Sequence, residues 1–444
     1  MTIHPSHSKR RERETAALKA LAQKFKQEIT SIPLGVAGYV IRMAPDKRRR
    51  SVWNGGPETA PIIMSDVDDT LMGYNKARKP RLNAFIKYAR ELGLALTAEQ
   101  LEAVMEMADA FARWKDWGID ADLYHVDAHM WALDWLTQQL RNVAPRDIPE
   151  QLKDLQAQLD AIKAGIGGMP DKKLPFSFDY DELVLGTLEP SPQMITVFEA
   201  VYEPELYEDT LEVLQEIAEA GGHTVIYTYG EPLFHLEKLL RLRSRLAADG
   251  QEWPFEYIFL ARKQKGSFLE ELFESAADNR QLHDMFFGRA PHIVLLMDDD
   301  KKQCDDFLRI ADAIEPQSGA RFCTVHLLRE TGKTWKQRFD ILREEEGSLV
   351  ADRHERREVL LYGTVGKFHA HESDEVRNAR IAAYANLRLR VYKALANNLT
   401  TVIERLQSTE YKLALESQRQ YFAARVQDME HAIAKAYGLS KQTL

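Results

Sequence analysis

Pro61-Ile62-Ile63-Met64-Ser65-Asp66-Val67-Asp68-Asp69-Thr70-Leu71 sets three aspartates directly behind a short apolar run. A run of that length, cut off by turn-prone residues, reads as a buried strand. Carboxylates follow such a strand only where a cation or a charged partner offsets the cost of taking them out of water. Residues two apart in an extended segment point to the same side, so Asp66 and Asp68 converge on one ligand while Val67 points away. Asp69 falls outside that alternation and reads as a loop or helix-start residue. The pair looks like a phosphoryl-transfer site.

Further along, apolar runs alternate with helical patterns. Leu206 to Ala220 is helical in period, with Leu211, Leu214 and Ile217 on one face, and Gly221-Gly222 stops it. His223-Thr224-Val225-Ile226-Tyr227 reads as the next strand, and a helix from about 232 to 247 leads to a third at Tyr257-Ile258-Phe259-Leu260. Ile293-Val294-Leu295-Leu296-Met297 and Phe322-Cys323-Thr324-Val325-His326-Leu327 are two more. Strands alternating with helices imply right-handed crossovers and a parallel sheet. The expected class is therefore α/β, a Rossmann-like three-layer parallel sheet. After about residue 350 the strand signals vanish, and 374 to 437 read as two or three long helices.

Open parallel sheets bind ligands at the carboxyl ends of their strands. Thr228 follows the second strand and offers a hydroxyl to a phosphoryl oxygen. After the third strand Lys263 supplies a cation, with Lys265 the alternative and Arg262 a more distant one. The fourth strand ends in Asp298-Asp299-Asp300, with Asp305 and Asp306 a turn later. Acids so close repel one another unless a divalent cation sits among them. Asp298 is the first choice for direct ligand and Asp299 the second, while Asp305 and Asp306 also suit the start of a helix through its dipole.

In order and placement these residues resemble the four motifs of the haloacid dehalogenase (HAD)-like hydrolase superfamily, in the two-aspartate form found in its phosphatases. The resemblance covers roughly residues 60 to 330. It implies a phosphatase in which Asp66 attacks phosphorus and forms an aspartyl-phosphate. Asp68 then acts first as general acid and later as general base. It also implies Mg²⁺ held by Asp66, the backbone carbonyl of Asp68, and Asp298 or Asp299, with Thr228 and Lys263 on the phosphate oxygens. Dehalogenases of the superfamily lack the second aspartate, and its transport ATPases need membrane helices, for which no apolar run here is long enough.

About 150 residues separate Leu71 from Gly222, against about 35 between Thr228 and Lys263, so a large insertion fits only the first gap. This resembles the helical cap class of the family, whose members mostly act on small phosphorylated molecules. Trp114, Trp117, Tyr124, Trp131 and Trp135 either line its pocket or form its core, and His125, His129, Lys172 and Lys173 are candidate substrate contacts. The division expected is a basic helical arm at 1–58, a catalytic core at 59–72 and 204–345, a helical cap at 73–203, and a helical C-terminal extension at 346–444. Within the arm, Leu18, Leu21, Phe25 and Ile29 mark an amphipathic helix over 9–30.

With 444 residues, the chain is too long for one ordinary domain. Its net charge of −9 is uneven, since residues 1 to 50 hold twelve Lys or Arg against four Asp or Glu. Lys47-Arg48-Arg49-Arg50 reads as a solvated arm rather than a nucleic-acid or lipid contact. Two cysteines, Cys304 and Cys323, make no disulfide framework and fit a reducing compartment, so the cytoplasm is expected. Thr331-Gly332-Lys333-Thr334 imitates the end of a P-loop, but Leu327 stands where the earlier glycine belongs. His369, His371 and Glu372, with His354, read as capping or surface groups rather than a zinc site. No membrane and no nucleic-acid partner is expected, whereas a homo-oligomer through the C-terminal helices is. Two other functions remain open: a binding or scaffold protein that works through its tail, and a phosphatase for nucleic-acid ends or phosphoproteins.

Overall fold

The computed structural model describes residues 5–35, 37–43, 59–73, 78–94, 206–262, 264–276, 292–328, 358–362 and 374–437, shorter stretches between 96 and 202, and residues 52 and 279. The chain forms two compact units. One comprises Met1–Gly73, Leu206–Pro232 and Leu242–Leu444; the other comprises Tyr74–Glu205 with Leu233–Arg241.

The first unit is built on an eight-stranded sheet. In chain order the strands are β1 (Ile29–Leu34), β2 (Gly38–Met43), β3 (Ile62–Ser65), β4 (His223–Tyr229), β5 (Tyr257–Ala261), β6 (His292–Asp298), β7 (Ala320–Leu328) and β8 (Glu358–Tyr362). In space they run β1-β2-β5-β4-β3-β6-β7-β8. From β5 to β8 every pairing is parallel, while β1 and β2 join antiparallel at the β5 edge. All seven residues of β6 and all four of β3 are buried, as the unbroken apolar runs require of strands covered on both faces.

Helices alternate with these strands: α1 (Pro5–Lys24), α2 (Arg78–Glu91), α3 (Glu208–Glu219), α4 (Pro232–Ala248), α5 (Lys265–Ala276), α6 (Lys301–Ser318), α7 (Asp374–Arg405) and α8 (Thr409–Tyr437). One sheet face, with Ile62, Met64, Val225, Tyr227, Val294 and Leu296, packs against Phe268, Leu272 and Phe307 from α5 and α6. Tyr227 sits among aromatic rings there, 5.4 Å from Phe268 and 5.5 Å from Phe259 between centroids. Burying each of these rings contributes roughly 1.5–3 kcal/mol. The helices α3 and α7 pack with each other and with strands of the sheet, and Arg321 on β7 bonds Asn398 on α7 at 3.3 Å. The result is the expected three-layer α/β arrangement, around a sheet that is parallel except for β1 and β2.

Three expectations change. The N-terminal segment is not only a helical arm, because its helix ends at Lys24, Lys26 turns left-handed at φ 55°, and the chain continues as β1 and β2. The stretch from Leu34 to Ile41 thus carries the end of β1 and most of β2. Its alternation is poor, and Gly35 interrupts it, so it gives no strand signal in sequence. Secondly, β8 adds a strand beyond residue 350. Thirdly, the two C-terminal helices among the described residues are not a separate extension but pack on the core: Arg388 on α7 pairs with Glu212 and Glu216 of α3, and Gln418 on α8 donates to the Thr59 carbonyl at 2.9 Å.

The second unit is helical where it is described. Its core gathers Phe85, Tyr88, Leu101, Val104, Leu133, Leu136, Leu140, Ile148 and Phe234. Tyr202 packs edge-on to Phe234 at 5.1 Å, and the Arg241 guanidinium lies 5.2 Å from the Tyr202 ring centre. Trp114, Trp117, Tyr124, Trp131, Trp135, His125, His129, Lys172 and Lys173 lie outside the described residues, as do Lys47 to Arg50, the 331–334 stretch and His354, His369, His371 and Glu372. Among the described residues no helix is long and apolar enough to cross a membrane.

Candidate active site

The strand order has a switch point at β3. The chain steps from β3 to β4 and β5 on one side, then returns to place β6 and β7 on the other. At such a point the connections leave in opposite directions and open a crevice beyond the carboxyl ends of the strands. Asp66 follows β3, and its amide donates to the Met297 carbonyl at 2.9 Å, which extends the β3–β6 ladder by one residue. The chain then turns sharply. The Val67 carbonyl accepts from Leu71 at 3.0 Å and Met72 at 2.8 Å, and Asp69 sits left-handed at φ 54°, a conformation aspartate tolerates better than most residues. This turn carries Asp68, half-buried, at its start. Thr210 Oγ1 donates to the Thr70 carbonyl at 2.9 Å and pins the turn to α3.

Opposite, Asp298 ends β6. Lys265 opens α5, and its Nζ lies 2.6 Å from Asp66 Oδ1 while also donating to Asp298 Oδ2. Both Lys265 and Asp298 are 1% exposed in their side chains. Three contacts fix the lysine. Its amide donates to Gln303 Oε1 at 2.9 Å, the next amide, Gly266, donates to Asp306 Oδ2 at 2.7 Å, and Tyr227 Oη donates to the Lys265 carbonyl. A Cβ at position 266 would collide with Asp306, so only glycine lets α6 approach this closely. Asp306 is thereby a cap for α5, and Asp305 pairs with Lys301 on the surface at 3.2 Å. Neither joins the acidic cluster.

That cluster is Asp66, Asp298 and Asp299, each offering a carboxylate oxygen within 4.8 Å of the others. Burial pushes Asp66 up to about 7; Lys265 pulls it down, and the charges of Asp298 and Asp68 add to the rise. Burial likewise pushes Asp299 up to about 8, with Asp66, Asp298 and Asp69 adding and Lys265 opposing. For Lys265 burial acts to lower the value, but Asp298 and Asp66 outweigh it and hold the ammonium above its usual range. Three carboxylates around one ammonium leave negative charge in excess in a place largely closed to water. An oxygen donor set of that kind fits a hard divalent cation such as Mg²⁺.

Thr228 lies at the same edge, two positions beyond Ile226, which pairs with Ser65, and is 1% exposed. Lys263 falls outside the described residues, so the cation brought to Asp66 and Asp298 is Lys265, the alternative. A usable signal was Gly266 beside it, a glycine at a helix start where another backbone or side chain comes close. Sequence reading missed Tyr227 and Gln303 altogether, since neither pattern nor spacing marks contacts that reach the start of α5 from β4 and from α6.

Two acids therefore face each other across the switch point, bridged by a lysine from the helix after β5. The core is a doubly wound, mostly parallel α/β sheet of the Rossmann-like kind. No protein-family model matches the chain, and no curated protein does. Among solved structures it is similar to a HAD hydrolase from Bacillus subtilis bound to magnesium, at 14% identity and a TM-score of 0.28 over 61% of this chain and 87% of that one. A HAD-like family hydrolase from Xanthomonas campestris gives 13% and 0.32 over 68% and 97%, and a protein described as a phosphatase from Clostridium difficile gives 13% and 0.25 over 69% and 95%. Likenesses this remote say nothing about the activity of this chain, which has to be argued from its own residues.

Proposed function

We propose that the chain is a Mg²⁺-dependent phosphatase that hydrolyses a phosphomonoester through an aspartyl-phosphate on Asp66. The observation that carries this reading is the Lys265 ammonium held between Asp66 and Asp298, with Asp299 beside them, at the carboxyl edge of the sheet. Asp66 Oδ attacks phosphorus in line and the bond to the leaving oxygen breaks. Asp68, on the turn two residues later, gives that oxygen its proton. The Asp68 carboxylate then takes a proton from water, whose oxygen displaces Asp66 and releases phosphate. Lys265 takes the role first given to Lys263: it favours the ionised form of Asp66 and, with the Thr228 hydroxyl, holds phosphoryl oxygens. Asp66, Asp298, Asp299 and the Asp68 carbonyl would hold Mg²⁺, which would supply the charge that lets an anionic nucleophile meet an anionic substrate. A helical unit inserted between β3 and β4 supports a small phosphorylated metabolite as substrate.

The test is phosphate release from a generic aryl phosphate with Mg²⁺ and with EDTA, followed by a panel of phosphorylated metabolites. Activity is expected only with the metal, and Asp66→Asn is expected to lower it by about 10³-fold or more. Turnover that survives Asp66→Asn, or that ignores EDTA, removes the mechanism.

A further inference from the structure

We propose that His326 is a positioning residue for the divalent cation of this site, acting through the single peptide that joins Asp299 to Asp300; the identity of the ligand rests on the phosphatase reading. His326 lies near the carboxyl end of β7, in register with Asp298 on β6, and is 5% exposed. Its Nε2 is 3.0 Å from the Asp299 carbonyl oxygen. A carbonyl can only accept, so Nε2 carries the proton and donates. The other ring nitrogen, Nδ1, is buried and has no partner among the described residues. The whole hydrogen-bonding capacity shown for this ring is therefore spent on one backbone oxygen.

That oxygen belongs to a peptide with a second fixed end. In a trans peptide the C=O and N–H point to opposite sides. The N–H here is that of Asp300, and it donates to Asp298 Oδ1 at 2.8 Å. Rotating the peptide would break both bonds together. With Oδ1 engaged this way, Asp298 presents Oδ2 to Lys265. Asp300 is also the N-cap of α6, its side chain accepting from the Lys302 amide at 2.8 Å. His326 thus anchors, from the neighbouring strand, the turn that sets two carboxylates of the acidic cluster. It is not itself placed as a ligand, because the nitrogen nearest the acidic loop is committed to a carbonyl. Groups that orient metal ligands from behind typically account for 10–100-fold in metal affinity.

The experiment compares the full chain with His326→Asn and His326→Gln. A glutamine amide nitrogen superposes on Nε2 and keeps the donor, whereas an asparagine amide reaches only as far as Nδ1. Mn²⁺ binding is measured by calorimetry without substrate, and hydrogen exchange at the Asp300 amide is measured in EDTA. The expected result is a Kd about tenfold weaker in His326→Asn, within about threefold of the parent in His326→Gln, and faster exchange only in the former. Equal Kd and exchange in all three proteins overturns the proposal while leaving the phosphatase reading intact. Failure of the parent chain to bind Mn²⁺ overturns both. Should His326→Asn not fold, His326→Leu takes its place with the same expected and overturning results, and a tenfold loss in His326→Gln overturns the donor role.

Discussion

Replacing Lys265 by Met would leave the carboxylates of Asp66 and Asp298 facing each other in a buried pocket with no ammonium between them. Removing one partner of a buried ion pair costs about 3–5 kcal/mol, because the remaining charge is uncompensated. Lys265→Met is therefore expected to lower the unfolding free energy measured by urea titration in EDTA by that amount, with part of the loss recovered in Mg²⁺. Its kcat/KM for an aryl phosphate should fall about 10²–10³-fold, the usual effect of deleting one preorganised donor to developing charge. Unchanged stability in EDTA would mean the two acids do not depend on this lysine. At this scale the sequence was informative about residue type and order. Asp66, Asp68, Thr228, Asp298 and Asp299 stand behind strands that are easily read. That Lys265 would reach the acids was not legible, since its contact depends on the docking of α5 on α6.

Among the elements, the β1–β2 hairpin departs most from expectation. It closes the β5 edge of the sheet, and Gly38 makes this possible. Its φ of 140° is costly for any other residue, and a Cβ there would strike the Leu260 backbone and lie 3.1 Å from the Phe268 ring. Gly38→Val is expected to cost at least about 1–3 kcal/mol through backbone strain, read as a lower denaturation midpoint of the whole first unit. A midpoint unchanged from the parent would mean the hairpin is an appendage. The hairpin also ties α1 to the loop after β5, because Glu14 on α1 accepts from both Tyr39 and Arg262. None of this was visible locally, as an edge strand signals itself through its partner rather than through its own periodicity.

For the whole molecule, the C-terminal helices are structural members of the core. Val391, Leu395, Leu399 and Tyr392 on α7 are almost fully buried, and Tyr392 stacks on Phe422 of α8 at 5.8 Å. Each such side chain contributes roughly 1.5–3 kcal/mol, so a few of them match the roughly 5–15 kcal/mol by which native proteins are stable. A chain ending near residue 350 is accordingly expected to lose cooperative thermal unfolding and to aggregate on gel filtration. A soluble, active truncated chain would show that the tail is dispensable. The sequence by itself determined the alternation of apolar strands and amphipathic helices, and with it the parallel sheet and the acids at its edge, because periodicity and strand-end chemistry are local properties. Only the tertiary structure decided which lysine meets those acids, that the N-terminus completes the sheet, that the tail covers it, and that His326 backs Asp299. Each of these depends on groups far apart in the chain, whose meeting is set by packing rather than by any local pattern.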